Sequence, residues 1–561
     1  MSSATPTSGT SPVRRLSLAG VLRLRRPSEI WFKPALSSVA AVAPPNLLLL
    51  ALGRLDLAMY TMAGSLCALY AHNRPYAARA RTLAWVVLGM LGGLAVALVT
   101  ASLTRNAVVL VTVGALLAAV QKALCDATRV GPPGNVVLTF ISSAALFVPQ
   151  TLGQVPGHLA LATAAGVWAW LVGMAPAPIR PHGPERRATA QALNAAAAYA
   201  ASHRTGEDAP ARAAGYAAVQ AAWQTLLALP STGARATTRH ALERLVVRAE
   251  VALAAPADAD PERLRAWAHA LRGGGRIPRT GDAPGDRDEL LGVDAELAAR
   301  PAPLWQRLGP LAPIAARTAL GCALAGYASL ALGIGRPYWA LVTAAALYQA
   351  NLTLTWSRAV QRVVGNLAGV LLFAAIAPLA HLGQALLVLC CLALNFGAEA
   401  LITRNYWLGS VCVTPMALLV TEFAGYQAPG VLMTERAVDT LVGALVGFLA
   451  AVVVTNRRAG NRVEEAVTAA DRARERAARL LAEAAPAPGA LEAARRGLAA
   501  ALTDLRATAD GAAGEWWGRA LPQERVVLAE RSGHRTLAEA VRRQAVRPDR
   551  DAGTRTEDVR P

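Results

Sequence analysis

A long hydrophobic block occurs twice in this 561-residue chain, and the repetition limits the possible folds more than any other feature. The copies cover residues 34–175 and 312–455, and each contains several apolar runs of about 17–25 residues, the length that crosses a bilayer. Landmarks of the two copies align at a nearly constant offset: Thr128-Arg129 with Thr403-Arg404, Gly89-x-x-x-Gly93 with Gly365-x-x-x-Gly369, and Gly166 with Gly443. Internal repeats are typical of transporters, whose substrate path lies between the repeats.

Each copy divides into six apolar segments. In the first copy we predict spans at Pro34–Leu52, Leu57–Ala71, Thr82–Ser102, Ala107–Leu124, Asn135–Gln150 and His158–Met174; in the second, at Pro313–Ile334, Tyr338–Leu352, Val363–Leu379, Gln384–Ile402, Tyr406–Thr421 and Ala437–Val454. An even number of spans brings both copies into the membrane from the same side. The predicted fold is therefore an all-α polytopic membrane protein with two parallel six-helix transmembrane repeats and helical cytoplasmic domains.

Basic residues collect at alternate ends of the predicted spans. One side carries Arg14, Arg15, Arg23, Arg25, Arg26, Arg74, Arg79, Arg81, Lys122, Arg129, Arg180, Arg186, Arg187, Arg358, Arg362, Arg404, Arg457 and Arg458. The positive-inside rule then predicts a multi-pass protein of the inner cell membrane with both termini and the central region in the cytoplasm. The same bias explains the net charge of +19, so we expect no nucleic-acid partner.

Three polar regions flank the membrane copies. Residues 1–33 form a basic arm rich in Ser, Thr, Pro and Arg, which we predict to be disordered and cytoplasmic and not a cleaved signal peptide. Residues 176–311 predict a helical cytoplasmic domain, and residues 456–561 a helical cytoplasmic tail with a disordered end. Their alanine-rich helices bury modest apolar area alone, so a homo-oligomer or an accessory efflux subunit is a possible partner.

No catalytic or metal-binding motif occurs in the chain. A Walker-type phosphate loop, His-Glu-x-x-His and Gly-x-Ser-x-Gly are all absent, and the six cysteines lack metal-site spacing. We therefore predict that the protein is not an enzyme and uses no cofactor or metal, and that its partners are the lipid bilayer and a small solute.

The densest group of polar and aromatic residues follows the first span of the second copy. It comprises the stretch from Arg336 through Tyr338 and Trp339, then Asn351, then Arg358, Arg362 and Asn366 before Gly369. This segment resembles the fusaric acid resistance family of integral membrane proteins, grouped with the bacterial aromatic acid exporters. The resemblance implies efflux of small organic acids, aromatic ones in particular.

Arg358, Arg362 and Asn366 are four residues apart and so share one helix face. Such a face is suited to a small organic anion, because the planar guanidinium matches a carboxylate with two hydrogen bonds, while Tyr338 and Trp339 can stack an aromatic ring. The alternative is that these arginines only set the topology and that the aromatic residues are interfacial anchors.

Two acidic residues lie within predicted spans, where ionisable groups are usually functional. Glu399 shares a face with Asn395 and Thr403, and Asp439 shares one with Gly443 and Gly447. Either carboxyl could carry the proton that couples export to the proton gradient, and of the two we favour Asp439. The alternative is that each only pairs with its neighbour, Glu399 with Arg404 and Asp439 with Arg436.

The sequence is also compatible with two other functions. A passive anion channel needs the same arginine face but no coupling carboxyl. A membrane scaffold for envelope assembly needs neither, and would act through its helical cytoplasmic domains.

Overall fold

The structure is a computed structural model that describes residues 18–24, 31–203, 209–229, 235–273, 275–279, 303–349, 351–454, 459–487, 489–513 and 523–545. In this part of the chain every regular element is helical. Most of the predicted basic arm lies outside these residues, including Arg14, Arg15, Arg25 and Arg26. Arg457, Arg458 and the tail end after Ala545 lie outside them too.

The two hydrophobic blocks form twelve helices, six in each block. The first block forms α1 (Phe32–Ala51), α2 (Ala58–Ser65), α3 (Tyr76–Leu103), α4 (Ala107–Thr128), α5 (Val136–Leu146) and α6 (Val155–Met174). Four helices, α7 (Gly183–His203), α8 (Ala209–Leu227), α9 (Arg235–Ala254) and α10 (Pro261–Arg272), and the short α11 (Leu304–Leu308) come next. The second block forms α12 (Ala312–Ala331), α13 (Tyr338–Leu347), α14 (Leu352–Ala380), α15 (Gln384–Ile402), α16 (Tyr406–Thr421) and α17 (Pro429–Val453). The tail forms α18 (Ala459–Ala482), α19 (Ala490–Ala513) and α20 (Gln523–Ala545).

Nine helices of the described chain are long and apolar enough to cross a membrane, three fewer than the twelve predicted spans. The exceptions are α2, α5 and α13, with 8, 11 and 10 residues. Ten helical residues cover about 15 Å, half of a hydrocarbon core of about 30 Å. The sequence suggested longer spans because the neighbouring residues are apolar, but those residues form 3-10 turns and extended backbone.

Protein surrounds the short helices. Every residue of α13 is buried, and so are seven of the eight residues of α2 and seven of the 11 residues of α5. Non-helical backbone at membrane depth is tolerated where it is buried in protein or lines a cavity, since lipid offers no hydrogen bonds. These three elements therefore belong to the interior of the membrane domain.

The two halves of the membrane domain contact each other reciprocally. The first helix of each half packs on the fourth helix of the other, α1 on α15 and α12 on α4. Ser38 and Asn395 exchange a buried hydrogen bond in the first contact (2.9–3.1 Å), and Thr112 and Tyr327 share one in the second (2.7 Å). A two-fold relation between the halves would produce this pattern, while the parallel repeat itself stays a prediction.

The paired glycines differ between the halves. A Cβ on Gly365 or Gly369 would lie within 3 Å of the α16 backbone at Trp407 or Val411, so α14 and α16 need glycine for their close contact. Gly93 packs against Gln121 and Ser142, whereas a Cβ on Gly89 would meet nothing within 4 Å. Both glycines of the motif are needed for helix packing in the second half, whereas in the first half only the second glycine makes a close contact.

Outside the membrane blocks, α7 to α10 and α18 to α20 form two helical groups with their own apolar cores. A buried charge cluster joins them. Glu250 of α9 accepts from Arg495 of α19 (2.9 Å) and from the Trp223 indole of α8 (2.8 Å), and Arg495 also bonds Glu492 (2.7 Å). Desolvation by burial raises the pKa of Glu250, and the neighbouring Arg495 and Arg496 act in the opposite direction.

Candidate functional site

A cavity of about 510 Å³ lies between the two halves of the membrane domain. The first half contributes residues of α2 and α5, and the second half residues of α13 to α17. Much of its wall is apolar and rich in Met and Phe: Met59, Met62, Phe140, Ile141, Phe147, Val342, Met416 and Val420. Its polar lining residues stand out against this wall and are the candidates for binding a solute.

We call the end of the membrane domain that carries Arg74, Arg129 and Arg358 the arginine end. The start of α3 meets the end of α4 here, because Arg74 donates to the carbonyls of Thr128 (3.2 Å) and Arg129 (2.6 Å). The described N-terminal segment, residues 18–24, lies at the same end. Its backbone carbonyls accept from Gln361 (2.9 Å), Asn405 (3.0 and 3.1 Å) and Trp407 (3.2 Å).

Arg362 lines the cavity and is 4% exposed. Its Nη1 donates to the Tyr406 hydroxyl (3.0 Å), while its Nε has no hydrogen-bond partner in the described chain. Arg358, one turn earlier, lies over the Tyr406 ring with its Cζ 3.9 Å from the ring centroid, and it is not part of the cavity wall. The arginine pair that the sequence suggested is thus divided, and only Arg362 faces the cavity.

Arg436 is the lining residue whose role the sequence did not suggest. It is 1% exposed, its Cζ lies 4.1 Å from the centroid of the Trp339 ring, and its Nε and Nη1 have no partner among the described residues. The predicted last span begins at Ala437 and so leaves Arg436 outside it, but α17 begins at Pro429, two turns earlier. An arginine directly before a predicted span resembles a topology signal. A span predicted to start one or two turns earlier would have placed Arg436 inside the membrane helix and marked it as a candidate.

The end of the cavity opposite the arginine end is closed by polar contacts. Arg336 lines the cavity there, forms an ion pair with Glu435 and donates to Gln427. The 3-10 turns Leu55–Leu57 and Glu422–Ala424 meet beside it, so both halves contribute to this closure.

The two candidate coupling carboxyls have different surroundings. Glu399 lines the cavity, and in the described part of the chain it forms no ion pair with Arg404 or with another basic residue. Asp439 is fully buried outside the cavity wall: its Oδ1 accepts from the Ser329 hydroxyl of α12 (2.6 Å), and its Oδ2 has no partner in the described part. Only Glu399 therefore faces a space that a solute could occupy.

The remaining sequence candidates serve helix contacts. Asn351 caps α14, its Oδ1 accepting from the Leu354 amide (2.8 Å). The Asn366 amide joins three helices, since its Nδ2 donates to Thr440 (3.0 Å) and its Oδ1 accepts from Thr414 (2.8 Å). Trp339 lies behind the wall, with its ring 5.6 Å from that of Phe140, whereas Tyr338 lines the cavity. The structure thus brings Arg336, Tyr338 and Arg362 together at one cavity.

The fold and the cavity define a polytopic helical membrane protein with an arginine-lined interior space. Residues 323–450 match the family described as fusaric acid resistance protein-like, which confirms the resemblance seen in the sequence. That segment runs from within α12 to within α17, so the similarity to this family covers the second half of the membrane domain.

One relative among curated proteins is the uncharacterized membrane protein YvaC of Bacillus subtilis (strain 168). It is 35% identical over 141 residues, which are 25% of this chain and 22% of that protein. The match thus spans under a quarter of the relative's length. No solved structure matches this chain.

Proposed function

We propose that this protein is a transporter that exports small organic acids, aromatic ones in particular, across the inner membrane. The observation that carries the proposal is the cavity between the halves, where Arg362 and Arg436 present unpaired N–H groups beside a wall of Met and Phe side chains. A carboxylate matches the guanidinium groups and an aromatic ring matches the apolar wall. The family match over residues 323–450 supports the same class.

We further propose that the arginine end faces the cytoplasm and that both termini and the helical domains lie on that side. A solute would then enter near Arg362 and leave past the contact of Arg336 with Glu435 and Gln427. This contact must open for release. Of the two partners of Arg336, Glu435 lies on α17 and Gln427 lies just before it. A movement of α17 relative to the first half would be enough to break it.

Proton coupling, if it uses one carboxyl, fits Glu399 better than Asp439. Glu399 faces the cavity, whereas Asp439 is bonded to Ser329 between α12 and α17. A carboxyl beside the solute can exchange its proton in each transport cycle, because the space next to it alternates between solute and water. No catalytic step is part of this proposal.

The test is solute movement in liposomes that contain the purified protein. We expect radiolabelled benzoate to move faster than in empty liposomes, to accumulate under an imposed pH gradient, and to lose that accumulation when a protonophore is added. Benzoate movement that is the same with and without the pH gradient would favour the passive channel. No movement of any aromatic acid from a panel, together with partner proteins that copurify and unchanged acid sensitivity of a deletion strain, would favour the scaffold.

A further inference from the structure

Arg362 and Arg436 are two buried guanidinium groups that line the same cavity, and neither has a carboxylate partner in the described chain. Three of their N–H positions, Nε of Arg362 and Nε and Nη1 of Arg436, are buried without an acceptor. Of the nearby acidic residues, Glu435 is paired with Arg336, while Asp439, bonded to Ser329, and Glu399 form no ion pair with either arginine in the described chain. Burial of two cations without an ion-paired carboxylate is unfavourable, so this arrangement favours a negative ligand that bonds the free N–H groups.

The contacts of the two arginines hold them in place without neutralising them. Arg362 bonds the Tyr406 hydroxyl (3.0 Å), and Arg436 lies over the Trp339 ring with its Cζ 4.1 Å from the ring centroid. A ring face attracts the cation but leaves the edge of the guanidinium, with its N–H groups, available to an acceptor. Both side chains are therefore oriented, and both keep donors for a ligand.

An aromatic surface adjoins this pair. The Tyr338 ring lies 5.8 Å from that of Phe147, and Phe140 lines the wall beside them. Chloride would use the positive charge alone, whereas an aryl carboxylate would use both the charge and this surface.

We propose that Arg362 and Arg436 form a clamp that binds one carboxylate of an aromatic acid, with the ring of the acid against Phe140, Phe147 and Tyr338. This site rests on the proposed transport of organic acids and names the groups that hold the substrate. Trp339 is a positioning residue, since it touches Arg436 and not the ligand.

The experiment is a benzoate titration of the detergent-solubilised full chain, with benzamide as the neutral analogue and sodium chloride as the inorganic anion. We expect benzoate to bind and to raise the thermal unfolding midpoint, and the other two to have little effect. Arg362→Gln and Arg436→Gln should each weaken benzoate binding about tenfold or more, because each removes a charge-assisted hydrogen bond. The double variant should lose less binding free energy than the two single losses added together, since both residues hold the same group.

A second readout separates a binding role from a structural one. Without ligand, Arg436→Gln should unfold at the same or a higher temperature than the wild type, because it removes an uncompensated buried charge. The matched control is Arg317→Gln, which removes another buried span arginine, whose Nε donates to the Val454 carbonyl (2.9 Å). The control should keep wild-type benzoate affinity.

Wild-type benzoate affinity in both cavity variants would overturn the clamp, and so would stabilisation by chloride equal to that by benzoate. These results are distinct from failure of the proposed function. Liposomes that move benzoate while both cavity variants bind it normally would leave the transporter standing and reject this site. Benzoate binding that requires both arginines in a protein that moves no acid would retain the site and reject transport.

Discussion

Arg362 and Asn366 lie one turn apart on α14, yet their side chains have different surroundings. The Asn366 amide is used at both ends by Thr414 and Thr440, while Arg362 keeps an unpaired Nε toward the cavity. The spacing of four residues placed them on one face but gave no information about the neighbours of that face. A polar residue in a membrane helix can thus serve the solute or the fold, and the contacts of its atoms distinguish the two.

Glu399 and Asp439 offer a test at the same scale. We expect Glu399→Gln to insert normally and to move benzoate downhill, but to lose acceleration by a pH gradient, because the amide cannot exchange a proton. Asp439→Asn should keep the gradient dependence, since its partner Ser329 can bond an amide oxygen as well. The measurement is liposome uptake with and without the gradient. Gradient dependence that is lost in Asp439→Asn and kept in Glu399→Gln would reverse the assignment.

At the scale of elements, α13 is the helix on which the cavity depends. It supplies Tyr338 to the cavity wall, and its opposite side lies against glycines of α17: a Cβ on Gly443 would be 2.5 Å from the Ala340 carbonyl oxygen. Gly447 faces Ala344 in the same way, one turn later. The close contact of the two helices fixes Arg436 of α17 beside Trp339 of α13.

We therefore predict that Gly443→Ala destabilises the membrane domain by about 1–3 kcal/mol, the usual range for an overpacked core, because the added methyl meets backbone that cannot rotate away. The thermal unfolding midpoint in detergent should fall. The control is Gly89→Ala, whose methyl would meet nothing within 4 Å and should leave the midpoint unchanged. Equal midpoints for the two variants would mean that α13 can shift to make room.

At the scale of the whole molecule, the region between the membrane blocks and the tail are held together by buried polar groups. Arg495 bridges Glu250 and Glu492, and the Tyr216 ring of α8 packs against His534 of α20 with centroids 5.0 Å apart. Such interior contacts between segments far apart in sequence give the two helical groups one fixed arrangement. Burial lowers the pKa of His534 to about 4, and the nearby Arg212 acts in the same direction.

A pH dependence of stability follows from that lowered pKa. Unfolded histidine titrates near about 6.5, so His534 contributes stability that is present above about pH 6.5 and is lost as the pH falls through about 4. We expect the thermal unfolding midpoint to fall between pH 7 and pH 5, and His534→Phe to reduce that fall, since it keeps the ring contact and removes the titrating group. The same fall in both proteins would assign the effect to other residues. Glu250 is present in both proteins, so its effect is the same in each. Its raised pKa acts on the pH dependence of stability with the opposite sign.

The sequence by itself determined the class of this protein, its helical content and the resemblance of its second half to a known family. Apolar runs of bilayer length and the stretch from Arg336 to Gly369 are local properties, so composition and spacing were enough to read them. The predicted orientation rests on the same local signal. The predicted lengths of the spans that correspond to α2, α5 and α13 were wrong, because apolar sequence does not distinguish a full span from a short helix surrounded by protein.

Only the tertiary structure decided which polar side chains face the cavity. It joined Arg362 of α14, Glu399 of α15 and Arg436 of α17 around one space, and it directed Arg358, Asn366 and Asp439 elsewhere. The physical reason is that a membrane helix is surrounded by several different neighbours around its circumference. Periodicity fixes which residues share a side of the helix, and packing alone decides whether that side meets lipid, another helix or the cavity.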